Sequence, residues 1–177
     1  MQIVMISACL LGIRSTYNGK QAKQCLDDHW QRNKAICFVP FCPEQIAGFP
    51  TPRPPVEISG GDGDDVLALR APIITENGTD VTHLFLNGLN NILKIVQWTR
   101  PSLIVTQQRS PSCSCNGIYD GTFSHTLISG NGVIASFLKN NGYQLVDIET
   151  FNKKVVDIET FNKKGQDLLS PKDSCPY

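Results

Sequence analysis

No apolar stretch in this 177-residue chain approaches the roughly 18 residues that a membrane-spanning helix requires, so that route across a bilayer is closed. An excess of charge of either sign is also missing. Sixteen Lys and Arg balance sixteen Asp and Glu, which excludes a basic groove for long nucleic acid and an acidic disordered tail alike. The opening Met1-Gln-Ile-Val-Met-Ile lacks the basic n-region and long apolar stretch of a secretory signal. A cytoplasmic location is therefore expected. The C-x-x-C pair that tunes thiol oxidoreductases is absent as well.

What remains is an ordinary globular composition, 41% apolar and 18% charged, at a length that suits one domain with a sizeable core. Against that background seven cysteines are many. An odd number cannot close into a complete set of internal disulfides, and a reducing compartment leaves the thiols available for other chemistry.

The chain alternates between strand and helix signals. Gln2–Ser7 is a nearly continuous apolar run that suits a strand buried on both faces, Gln21–Asn33 reads as a helix, and Ala35–Val39 as a second strand leading through Pro40 to Cys42-Pro-Glu44. Residues 49–65, FPTPRPPVEISGGDGDD, are dense in Pro, Gly and Asp and read as a long functional loop or lid. Apolar residues at helical spacing from Val81 to Trp98 predict the most regular helix, stopped by Pro101. Leu103–Thr106 follows as a third strand, then a polar loop from Arg109 to Gly121. Gly132–Asn140 suits a helix and Tyr143–Ile148 a fourth strand. This order predicts an α/β fold, a Rossmann-like layered arrangement around a mostly parallel sheet in a single domain. LVDIETFNKK at 145–154 is followed at once by VVDIETFNKK at 155–164, the two differing only at their first residue. One short duplication cannot build a solenoid, so the reading is a domain over 1–149 and a C-terminal extension over 150–177.

In an open α/β sheet ligands bind beyond the carboxyl ends of the strands. Cys9, Cys42 and Cys113 each lie a few residues past such an end. A parallel sheet would bring all three thiols to one crevice, and thiolates select zinc, Cu(I) or an iron–sulfur cluster.

The residues around these cysteines are more specific. SACLLG at 7–12, FCPEQIAGFPTPRPPVEI at 41–58, GGDGDDVL at 60–67, DVTHLF at 80–85, SPSC at 110–113, IYDGTF at 118–123 and GVIASFLKNNGYQLV at 132–146 together resemble the 2-thiouracil desulfurase family. The resemblance implies a single α/β domain with a [4Fe-4S] cluster on Cys9, Cys42 and Cys113. It also implies non-redox removal of thiocarbonyl sulfur from a small thiolated base, with one iron left open to the substrate sulfur. Glu44 and Ser110 match positions implied to serve in acid–base and orienting roles, while Arg53 and Ser7 are expected at the substrate. The chain departs from many relatives at Ser15 and Asn18, where they carry Cys and Asp, and at Ser114, where they carry Gly. A Gly there often takes positive φ, so Ser114 is expected to reshape the loop.

Other residues receive plainer readings. Cys37 is expected in the core, Cys25 to pack on the first helix, Cys175 to be idle, and Asp62, Asp64 and Asp65 to form a solvated turn. Two other functions compete with the desulfurase. One is a zinc-binding structural module using Cys42, Cys113, Cys115 and His125; the other is a thiol redox protein using Cys113 and Cys115. Cys115 is the pivot, because a fourth thiolate would close the cluster.

Overall fold

A computed structural model describes residues 1–22 and 25–153 of the chain. β1 (Gln2–Ser7) runs into a 3-10 turn at Ala8–Leu11, and the chain returns through α1 (Asp28–Gln31) to β2 (Ile36–Phe41) and the helical turn α2 (Pro43–Ile46). An excursion follows through β3 (Val56–Ile58), α3 (Gly63–Leu67) and β4 (Ile73–Thr75), and then the long helix α4 (Thr82–Thr99). β5 (Leu103–Thr106), the two-stranded ladder β6 (Ile118–Tyr119) and β7 (Leu127–Ile128), α5 (Val133–Asn140), β8 (Leu145–Asp147) and α6 (Ile148–Lys153) complete the described residues.

The main sheet has the order β2-β1-β5-β8 and every pairing in it is parallel. From β1 the chain moves first to one neighbour and later to the other, so the strand order reverses at β1. The carboxyl ends of β1, β2 and β5 therefore flank the switch point where α/β sheets bind ligands. Pro40 sits in β2, an edge strand, where its missing N–H costs no ladder bond inside the sheet.

Side chains alternate across the sheet. Met5 and Ile104 pack with Phe85, Ile92 and Val96 of α4 and Ile134 and Leu138 of α5; Val4, Ile6, Val105 and Val146 pack on the other face with Trp30 and Phe151. The result is a three-layer α/β domain. In α4 the buried Phe85, Leu89, Ile92 and Val96 recur at helical spacing, as the sequence predicts. Gly88 on the same helix lets α2 approach: a Cβ there would stand 2.7 Å from the Ala47 Cβ. Close approach of α2 matters because it carries Glu44.

Four local expectations change. Of the helix expected over 21–33, the described residues form the single turn α1; Leu26 and Trp30 are the only buried anchors among them, and an isolated segment gains little from propensity alone. The loop expected over 49–65 contains β3, paired antiparallel with β4, and the start of α3. Asp62 and Asp65 form a reciprocal capping box on α3, so the acidic run is a helix start. The fourth strand ends at Asp147, whose carboxylate accepts from the Thr150 N–H (2.9 Å) and hydroxyl (2.7 Å) and starts α6. Phe151 of α6 is buried against Trp30, with ring centroids 4.6 Å apart. The core thus runs through the first copy of the decapeptide; the second copy and Cys175 lie outside the described residues. Cys37 is half-buried in β2, and Cys25 is exposed and outside any helix. Among the described residues no helix is long and apolar enough to cross a membrane.

Candidate active site

Three connections deliver the three cysteines. Cys9 lies in the 3-10 turn directly after β1, ended by Gly12 in the left-handed region. Cys42 is the extended residue before Pro43, the first residue of α2. Cys113 lies in the loop after β5, and α5 builds that loop. The N–H groups of Val133 and Ile134 donate to the carbonyls of Pro111 (2.9 Å) and Ser112 (2.8 Å), so the open end of α5 is satisfied by the cysteine loop. Gly132 permits the contact, since a Cβ there would fall 2.5 Å from the Ser112 backbone.

Cys113 is buried, and Cys9 and Cys42 are half-buried beside it. Burial, then the neighbouring Cys113 and Cys42, pushes the Cys9 thiol up to about 12. Burial raises Cys42 and Cys113 as well. The Ser7 hydroxyl donates to Cys113 Sγ (3.5 Å) and accepts from the Gln107 N–H (3.2 Å), which ties the end of β1 to the end of β5. Cys42 Sγ donates to the Ser15 carbonyl (3.7 Å). Ser7, expected at the substrate, is 2% exposed and turned onto a cysteine sulfur.

Beside the thiols runs a chain of polar groups. Arg53 pairs with Glu44 through Nε (2.5 Å) and Nη2, and its remaining donors go to the carbonyls of Ser15 (3.0 Å) and Pro50 (3.3 Å) and to Thr51 Oγ1 (3.1 Å). With its donors so committed, Arg53 would have to give up part of this pair to meet a substrate. Glu44 Oε1 accepts from Ser112 Oγ (2.9 Å), and Ser112 Oγ lies 2.8 Å from Ser110 Oγ. Ser110 Oγ also accepts from the N–H groups of Ser112 (3.3 Å) and Cys113 (3.2 Å). Ser112, 1% exposed, went unremarked in the sequence; its place between Ser110 and Cys113 was the only signal.

Cys115 stands apart. Its Sγ accepts from Thr106 Oγ1 (3.3 Å), and the charges that act on it belong to Lys139 and Asp147, not to the other cysteines. His125 is exposed in the β6–β7 turn, edge-on to Tyr119 at 5.4 Å. Ser114 has no positive φ, and its hydroxyl donates to the Gly117 carbonyl (2.7 Å), so the strain expected there is absent. The non-glycine residue of this loop with positive φ is Arg109, at 64°.

Among the described residues no three His, Cys, Asp or Glu side chains converge closely enough to hold a single metal ion. The shell of Cys42, Cys113, Cys115 and His125 drawn for zinc is thereby set aside, because tetrahedral zinc needs its ligands around one point. Cys113 and Cys115 face different partners, which also weakens a dithiol pair. An iron–sulfur cage is a different demand. Each thiolate meets its own iron, so the sulfurs stand around a cage rather than around one ion. Three thiols raised by burial, with Cys9 raised further by Cys113 and Cys42, suit such a cationic centre, whose charge offsets their ionisation.

Comparison with known proteins agrees with the architecture. The chain is 39% identical over 155 residues to the uncharacterized protein YbbK of Bacillus subtilis (strain 168), covering 85% of this chain and 98% of that one. Its fold superposes with a TM-score of 0.76 on a [4Fe-4S]-dependent thiouracil desulfidase, TudS, at 28% identity over 90% of this chain and 99% of the other. The profile of 2-thiouracil desulfurase matches residues 4–150, which takes in all three sheet-end cysteines. On this match and the shared fold, the chain belongs to the 2-thiouracil desulfurase family.

Proposed function

We propose that this enzyme removes the thiocarbonyl sulfur of a small thiolated base such as 2-thiouracil, with a [4Fe-4S] cluster held by Cys9, Cys42 and Cys113. The supporting observation is the meeting of three thiols from three strand ends, Cys113 buried and Cys9 and Cys42 half-buried, beside a hydrogen-bonded Glu44 and Ser110. The reaction balances without an oxidant: thiouracil and water give uracil and hydrogen sulfide. When bound, a cluster on three thiolates supplies a thiophilic Lewis-acid iron that lacks a protein ligand.

The chain's own groups do the remaining work. Glu44 handles protons as water's oxygen replaces sulfur on carbon, and Ser110 orients the reacting partners from a loop rigidified by α5. Arg53 anchors the Glu44 carboxylate, and Ser7 orients Cys113 while joining two strand ends. Anaerobic purification followed by iron, zinc and acid-labile sulfide analysis, with uracil formation from 2-thiouracil, tests the reading. Brown, iron-containing, active protein is expected. Colourless protein with one zinc would sink it.

Two variants refine the assignment. Arg53→Met leaves a buried Glu44 without its cation, a change that costs about 3 kcal/mol in comparable buried pairs; chemical denaturation should show a loss of that order, together with reduced activity. An unchanged unfolding midpoint would show that the pair contributes nothing. Cys115→Ser keeps an acceptor for Thr106 and should leave iron content and activity at the parental level. Loss of iron in this variant would make Cys115 a ligand.

A further inference from the structure

The Ser112 hydroxyl is buried at the site, and its two side-chain contacts are the two groups assigned to the chemistry. We propose that Ser112 is a positioning residue that makes Glu44 and Ser110 one hydrogen-bonded unit, an inference that rests on the desulfurase reading above. A carboxylate only accepts, so the single proton of Ser112 Oγ is spent on Glu44 Oε1 at 2.9 Å. The 2.8 Å contact between Ser112 and Ser110 then has one polarity left: Ser110 donates and Ser112 accepts. Ser110 Oγ meanwhile accepts from the N–H groups of Ser112 and Cys113.

With Ser110 donating to Ser112, the hydroxyl protons run toward Glu44, whose other oxygen, Oε2, is fixed by Arg53; Cys113 Sγ is a second acceptor within reach of Ser110. The two ends of the unit come from different parts of the fold. Glu44 rides on α2, packed at Gly88 of α4, and Ser110 and Ser112 ride on the loop clamped by α5. Ser112 is the side chain that bridges them. Without it Glu44 retains its guanidinium partner but loses its register with Ser110, and misplacement of a reacting group by a fraction of an ångström lowers turnover more than binding.

The test uses anaerobically purified full-length protein with 2-thiouracil as the probe. Ser112→Ala is expected to keep iron and sulfide, to change KM by less than about twofold, and to lower kcat by about 30-fold, within the span of lost acid–base contributions. In a Ser110→Ala background the same change should lower kcat by less than about threefold further, because members of one unit are not additive. A kcat for Ser112→Ala close to the parent, independent losses in the double variant, or loss of iron overturns the proposal. Should the parent form no uracil, the desulfurase reading falls by itself, and the linkage is then read from Tm. Ser110→Ala and Ser112→Ala together should shift it no further than the larger single shift, and additive shifts overturn the unit.

Discussion

Replacing any one of Cys9, Cys42 or Cys113 by serine is expected to strip the protein of iron and of desulfurase activity together. The three thiols arrive from separate strand ends, each on its own connection, so the loss of one removes one of only three proposed points of attachment. Cys115, the nearest cysteine in sequence, is held by Thr106 away from the group. Serine is close in shape, but its hydroxyl is a harder and far less acidic donor than a thiol and does not replace thiolate on iron. The buried setting sharpens the effect, since Cys9 is already pushed up to about 12 by burial and by its sister thiols and ionises only with a cationic centre present. Iron and sulfide analysis with the visible spectrum reads the result. Cys37→Ala, at a half-buried strand position remote from these contacts, should keep its iron. A serine variant at any of the three positions that retains full iron would remove that residue from the ligand set.

Glu44→Gln and Ser110→Ala are expected to keep the cluster and to lower turnover by about a hundred-fold or more, the usual scale for a missing acid–base group. Glutamine preserves the shape and an acceptor for Ser112, so the loop and the thiols keep their places while the proton-accepting carboxylate is lost. Alanine at 110 withdraws one hydroxyl from a loop that the backbone bonds of Val133 and Ile134 continue to hold. Iron content and steady-state kinetics on the same preparations separate the outcomes. If either variant loses iron in step with activity, the residue is structural and its assigned part in the chemistry is wrong.

Much of this was readable from local pattern. Continuous apolar runs marked β1 and β5, and the spacing of Phe85, Leu89, Ile92 and Val96 marked α4, because a strand or helix that must bury a face writes its period into the chain. Elements held by few local contacts were harder to read. β3 is a three-residue strand among prolines that exists because Ile73–Thr75 lies beside it, and α6 begins at Ile148, which the local pattern assigned to the strand. The expected helix over 21–33 failed for the converse reason, with two buried anchors among its described residues.

For the site, the sequence alone determined the fold class, three cysteines just past strand ends, and the motifs that mark the family. Those properties are local: a strand end and the few residues after it are legible without knowing what else arrives there. The tertiary structure decided the partners. Arg53 turned onto Glu44, Ser7 onto Cys113, Ser112 between Glu44 and Ser110, and Cys115 away toward Thr106. Each of these is a hydrogen bond between side chains, formed over a few ångströms in a buried space where an unpaired polar group is costly. In every case but the Ser112–Ser110 contact and the short Arg53 and Cys115 loops the partners are far apart in the chain, and only the parallel packing of β1, β2 and β5 brings them within reach.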